Sequence, residues 1–132
     1  MPHRARRTRN ATCHPRKQTG EAVGLRIIGG RFRGRRLCYT GDERTRPMKD
    51  RVRQAVFDLL AERIRGKHAV DLFAGTGALG LEAISRGAAR ATFIEQHFPT
   101  AAVLRQNVAS LGVESVCRVA PANTCLLYTS PS

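Results

Sequence analysis

The residues most able to do chemistry in this sequence are a glycine-rich run, Asp71-Leu-Phe-Ala-Gly75-Thr-Gly77-Ala-Leu-Gly80, and the carboxylate of Glu95, 20 residues past Gly75. Glycines in this G-x-G-x-x-G spacing allow a tight turn and leave bare backbone against which a ligand can sit, close to a helix N-terminus. A carboxylate at the end of the following strand is placed to accept hydrogen bonds from both hydroxyls of a ribose. Dinucleotides and S-adenosylmethionine both use such a frame, and Asp71 separates them. A dinucleotide lays a doubly charged pyrophosphate over the turn, where a carboxylate at the strand end would oppose it. S-adenosylmethionine carries no phosphate, and its sulfonium and ammonium are attracted by that same carboxylate. The constellation favours the methyl donor over NAD.

Those residues need elements to hold them. From Lys67 onward the apolar pattern alternates strand, helix, strand, helix, strand. Residues 68–73 form a short apolar strand, 75–80 a turn, and 78–86 a helix closed by Gly87. A strand over 90–95, a helix over 99–111 between Pro99 and Gly112, and a strand over 115–119 follow. Strands alternating with helices imply a Rossmann-like, doubly wound α/β parallel sheet. Upstream, residues 25–39 read as a hairpin around Gly29, Gly30 and Gly34. Pro47 opens a helix running to about Ile64, with Val52, Val56, Leu59, Leu60 and Ile64 spaced to line its buried face. Lys49, Arg53 and Glu62 are expected largely elsewhere around that helix.

The 132 residues suit one domain, and the net charge of +13 is unevenly placed. Residues 1–53 hold 16 Lys/Arg against 4 Asp/Glu, whereas residues 54–132 hold 7 against 6. A basic front on a neutral body points to a polyanion, because clustered cations release counterions when they meet phosphates. Residues 1–24 lack apolar periodicity and read as a disordered basic extension. The scattered cysteines and histidines show no zinc-ligand spacing. No apolar run approaches the ~20 residues of a membrane span, and no secretory signal opens the chain, so cytoplasm is the expected location.

Three runs, in order, carry a resemblance: Arg26-Ile-Ile-Gly-Gly-Arg-Phe-Arg-Gly-Arg-Arg-Leu37, Thr45-Arg-Pro-Met-Lys-Asp-Arg-Val-Arg53, and Asp71-Leu-Phe-Ala-Gly-Thr-Gly-Ala-Leu-Gly-Leu-Glu82. Together they resemble the guanine-N2 methyltransferases of small-subunit (16S) ribosomal RNA, over about residues 25–124. The resemblance implies a class I S-adenosylmethionine-dependent methyltransferase fold, with a hairpin and helix (25–66) ahead of the first half of the methyltransferase domain (67–124). It implies that Asp71, Gly75 and Gly77 meet the methionine part of the donor, with Phe73 and Thr76 of the same run also in cofactor contact. Glu95 would take the ribose, and Asn123 would stand near the adenine. Thr45, Arg46 and Arg51 would fold over the donor, and Arg31, Arg33, Arg35 and Arg36 would touch RNA. The implied partner is ribosomal RNA or a small-subunit assembly intermediate, met by a monomer that uses no metal.

The sequence departs from that family in two places. Met48 replaces a small hydroxyl residue after Arg46-Pro47. No Asp/Asn-Pro-Pro-aromatic motif, which in the family grips the target amine, occurs in the chain. No catalytic residue is therefore assigned here, and the chain is expected to hold only the donor-binding half. Residues 125–132 resemble translated adapter sequence, so the natural sequence is expected to end near Thr124 as a truncated piece, inactive and poorly folded by itself. Two other classes fit part of the pattern. An NAD(P)-dependent oxidoreductase leaves Asp71 and the basic hairpin unexplained, and a non-enzymatic RNA-binding module has no use for the pairing of Asp71 with Glu95.

Overall fold

The computed structural model describes residues 24–39 and 50–120, where a hairpin and a helix precede an alternating strand–helix run. The N-terminal extension, the Pro47 helix start and the 125–132 tail read from the sequence lie outside the described residues. β1 (Leu25–Arg26) and β2 (Arg36–Leu37) pair antiparallel, Leu25 opposite Leu37. α1 (Asp50–Leu60) continues into a 3₁₀ turn over Ala61–Ile64. β3 (His68–Asp71), α2 (Ala78–Ser85), β4 (Arg90–Ile94), α3 (Phe98–Leu111) and β5 (Cys117–Ala120) follow. Pro99 in the first turn of α3 and Gly112 in a left-handed cap set its two ends.

β3, β4 and β5 pair in parallel in that order. Right-handed crossovers running in one direction put α2 and α3 on the same face of the sheet. Beneath them Ala91 and Phe93 are buried with Leu81, Ile84, Leu104, Val108 and Leu111. The opposite face is more open among the described residues, although Ile94 is buried on it. Val70 is 54% exposed there, and His68 Nε2 lies 2.7 Å from Thr92 Oγ1. β3 pairs only with β4 among the described residues, so the second helix layer of a doubly wound sheet is not part of them. No described helix is long and apolar enough to cross a membrane.

α1 corrects one sequence expectation. Its buried residues are Arg53 and Phe57, with Val56, Leu60 and Ile64 packed partly against the core. Val52 is exposed and Leu59 is 80% exposed. The buried stripe is rotated by one residue because Arg53 has a partner inside: its Nε donates to Glu82 Oε1 at 3.2 Å, and both groups are fully buried. A second Arg53 nitrogen donates to the Arg26 carbonyl of β1. A charge so paired can sit where an apolar residue would.

Glu82 is the hub that joins these layers. Its Oε1 also accepts the Ile28 N–H at 3.0 Å, and its Oε2 accepts the Gly29 N–H at 2.9 Å and Arg86 Nε at 2.8 Å. One turn on, Ser85 Oγ donates to the Gly29 carbonyl at 2.6 Å and accepts the Phe32 N–H at 2.9 Å. The Ser85 carbonyl accepts the Arg31 N–H at 2.9 Å. The hairpin is therefore docked on α2, with Leu25, Ile27 and Leu37 in the common core.

Candidate functional site

Parallel strands deliver their C-terminal ends to one edge of the sheet, where ligands of such folds bind. Asp71 closes β3 there, and the glycine turn leads from it into α2. Gly75 (φ +59°) and Gly77 (φ +94°) both take left-handed conformations that other residues adopt only with strain. A Cβ on Gly77 would meet Leu104 Cδ1 at 2.4 Å, whereas a Cβ on Gly75 would meet nothing within 4 Å. Gly77 thus lets α3 pack against the turn, while Gly75 borders open space where a ligand can lie.

Glu95 follows β4 and reaches across to that turn. Its Oε1 accepts the Gly75 N–H at 2.8 Å and its Oε2 accepts the His97 N–H at 3.1 Å. Each carboxylate oxygen keeps a further lone pair, so Glu95 can still accept from a ligand hydroxyl while it shapes the turn. Burial pushes the Asp71 carboxyl above its ordinary 3.8; a bond from the Phe73 N–H pulls it down, and the neighbouring Glu95 charge raises it again. Among the described residues no ion pair links either carboxylate to a cation. Two carboxylates around a turn with an open side make an electronegative site, suited to a positively charged ligand that also carries hydroxyls. Among the described residues no cluster of His, Cys, Asp and Glu could hold a metal.

The remaining expected contacts fall in different places. Phe73 stands 79% exposed just after Asp71. Thr76 is buried, its carbonyl accepting Asn107 Nδ2 at 2.8 Å. Arg51 is exposed on the first turn of α1. Thr45, Arg46 and Asn123 lie outside the described residues. Arg31, Arg33, Arg35 and Arg36 are all exposed on the hairpin. The Arg31 guanidinium sits 4.6 Å from the Phe32 ring centre and that of Arg35 5.8 Å from it. Arg35 also donates to the Ser110 carbonyl at 2.7 Å, where the C-terminal end of α3 attracts a cation, so it has a structural task besides its charge.

Four supporting residues escape a reading by residue type: Arg53, Glu82, Ser85 and Asn107. Their phase is the signal that could reveal them. Asn107 lies three residues after Leu104 and four before Leu111, on the buried stripe of α3, and Glu82 interrupts an otherwise apolar helix. A polar residue at a buried helical phase requires a partner.

The family model described as Conserved hypothetical protein 95 matches residues 25–130. The ribosomal RNA small subunit methyltransferase D of Escherichia coli strain K12 is 48% identical over 87 residues, covering 66% of this chain and 44% of that protein. The protein of the same name from Haemophilus influenzae is 41% identical over 99 residues, covering 74% of this chain and 51% of its own length. The chain thus spans about half the length of these relatives. The solved structure of the Escherichia coli protein yhhF superposes with a TM-score of 0.73 at 42% identity, over 82% of this chain and 57% of that one.

Proposed function

The chain belongs to the Conserved hypothetical protein 95 family and has a class I methyltransferase fold, and from that premise we propose that it is the donor-binding portion of an S-adenosylmethionine-dependent methyltransferase of guanine N2 in small-subunit ribosomal RNA. The observation that carries this reading is the pair Asp71 and Glu95, without cationic partners among the described residues, beside the open side of Gly75. The donor supplies a methyl group on a positively charged sulfur. Asp71 attracts that charge and the nearby ammonium, the bare backbone at Gly75 lets the ligand approach, and Glu95 accepts from the ribose. Thr45, Arg46 and Arg51 close over the donor, Phe73 and Thr76 border it, and Asn123 meets its adenine. Arg31, Arg33 and Arg36, with part of the Arg35 charge, hold RNA phosphates without selecting sequence. The target base leaves its stack to reach the donor, and the rate gain comes largely from placing the amine in line with the methyl. The protein works as a monomer in the cytoplasm on ribosomal RNA or an assembly intermediate.

Calorimetry on the full-length protein with S-adenosylmethionine, NAD and a ribosomal RNA fragment separates this reading from its rivals. Binding of the donor and the RNA without NAD is the expected result. Tighter binding of NAD, or RNA binding with no donor binding, would overturn it.

A further inference from the structure

We propose that Asn107 is a positioning residue for the donor site, its side-chain amide fixing the Thr76 peptide of the glycine turn against the end of the basic hairpin. The inference rests on the donor-binding reading above and adds a residue 31 positions away from the turn it controls. Asn107 is 1% exposed and uses both ends of its amide. Oδ1 accepts the Cys38 N–H at 2.7 Å, and Nδ2 donates to the Cys38 carbonyl at 3.1 Å. Those two bonds give Cys38, just past β2, the paired donor and acceptor that a neighbouring strand would offer. Nδ2 also donates to the Thr76 carbonyl at 2.8 Å, so one side chain ties hairpin, α3 and turn together.

Thr76 sits between Gly75 and Gly77, the two residues of the turn with positive φ. Peptides flanked by glycines can rotate cheaply. The Thr76 carbonyl shares its peptide with the Gly77 N–H, which donates at 2.9 Å to the Ala74 carbonyl, the other end of the peptide that carries the Gly75 N–H. That N–H is the group bonded to Glu95. α3 restrains the turn at two points one helical turn apart: Leu104 fills the space that a Gly77 side chain would need, and Asn107 anchors the Thr76 carbonyl. Leu104 supplies contact without direction, whereas Asn107 adds a directional bond to the one the Gly77 N–H makes within the turn. A leucine at 107 would fill similar volume yet leave the Thr76 carbonyl and both backbone groups of Cys38 without these partners. Preorganised sites depend on such supporting bonds, because a shift of an ångström at the ligand is enough to lose most of the benefit.

The test compares Asn107→Ala with Val108→Ala in the full-length protein. Val108 is the next residue of α3, is buried in the core, and has no side-chain polar group to reach the turn. Three quantities are read: the melting temperature, the affinity for S-adenosylhomocysteine by calorimetry, and the amide resonances of Gly75 and Gly77 without ligand. At a comparable loss of melting temperature, Asn107→Ala is expected to weaken affinity about ten-fold or more, while Val108→Ala keeps wild-type affinity. The two glycine amides move in Asn107→Ala and stay in place in Val108→Ala. Should Asn107→Ala fail to fold, Asn107→Ser retains a donor on a shorter side chain and gives the same comparison. Equal affinity loss in the two variants, or unmoved glycine amides in the Asn107 variant, overturns the proposal. A wild-type protein that ignores S-adenosylhomocysteine while the glycine amides still respond to Asn107→Ala overturns the donor reading and leaves the positioning role standing.

Discussion

Glu82 and the pair Asp71–Glu95 are the same chemistry in opposite circumstances. Glu82 is fully buried, yet its two oxygens accept from two backbone N–H groups and two guanidinium groups. Asp71 and Glu95 sit nearer the surface, receive backbone N–H bonds, repel one another, and have no cation partner among the described residues. A satisfied buried carboxylate holds layers together; a carboxylate left short of positive charge at an open turn is equipped to take that charge from a ligand. The difference sets the structural α1–α2–hairpin junction apart from the proposed donor site at the strand ends.

That contrast can be broken at either end, and the largest effect is expected at the structural one. Glu82→Gln keeps the shape but removes the buried carboxylate charge that Arg53 and Arg86 share, leaving the half-exposed Asp50 beside Arg53, and breaking a buried pair costs about 3–5 kcal/mol. Urea unfolding should show that loss, with protection of the Ile28 and Gly29 amides falling alongside. A change below about 1 kcal/mol, the scale of an exposed pair, would move Glu82 out of the structural class. A smaller effect is expected on the hairpin. Replacing Arg31 and Arg33 together by alanine should reduce the salt dependence of RNA binding by roughly 0.7 log units per lost phosphate contact, with donor affinity unchanged. An unmoved salt slope would make these arginines ordinary surface charge. Arg35 is left out of the pair because its bond to the Ser110 carbonyl gives it a second task.

How much of this was legible in the sequence follows from the range of the interactions. The strand–helix alternation after residue 67 can be read because short apolar runs, Pro99, Gly87 and Gly112 act locally, and the observed elements begin and end within about two residues of that reading. Asp71 and the glycine turn stand out for the same reason. The face of α1 does not, since a reading by residue type sends Arg53 to solvent, and its burial depends on Glu82, 29 residues away. The hairpin is legible as a hairpin but not as a docked one, because Glu82 and Ser85 hold it through bonds spanning more than 50 residues. Asn107 is hidden likewise: its partners at Thr76 and Cys38 are 31 and 69 positions away.

Asp71→Asn tests directly whether Asp71 serves the ligand at the expense of the fold. In the folded chain the Asp71 carboxyl is raised above its ordinary 3.8, chiefly by burial, so the folded state holds that proton more tightly than the unfolded state. Stability then falls as pH climbs from 3.8 through the raised value, and ionised Asp71 is a net cost at neutral pH. Removing the charge should leave neutral-pH stability equal or higher. Donor affinity should drop about ten-fold or more, since an interaction with a charged partner is lost. In the wild type that affinity should weaken on acidification as Asp71 takes up its proton, a dependence absent from the variant. Thermal melts and donor titrations of both proteins across pH give the two answers from one set of samples. Unchanged or higher stability with weakened donor binding is the predicted result; lowered stability with unchanged donor affinity would contradict the account and leave Asp71 a structural residue of the turn.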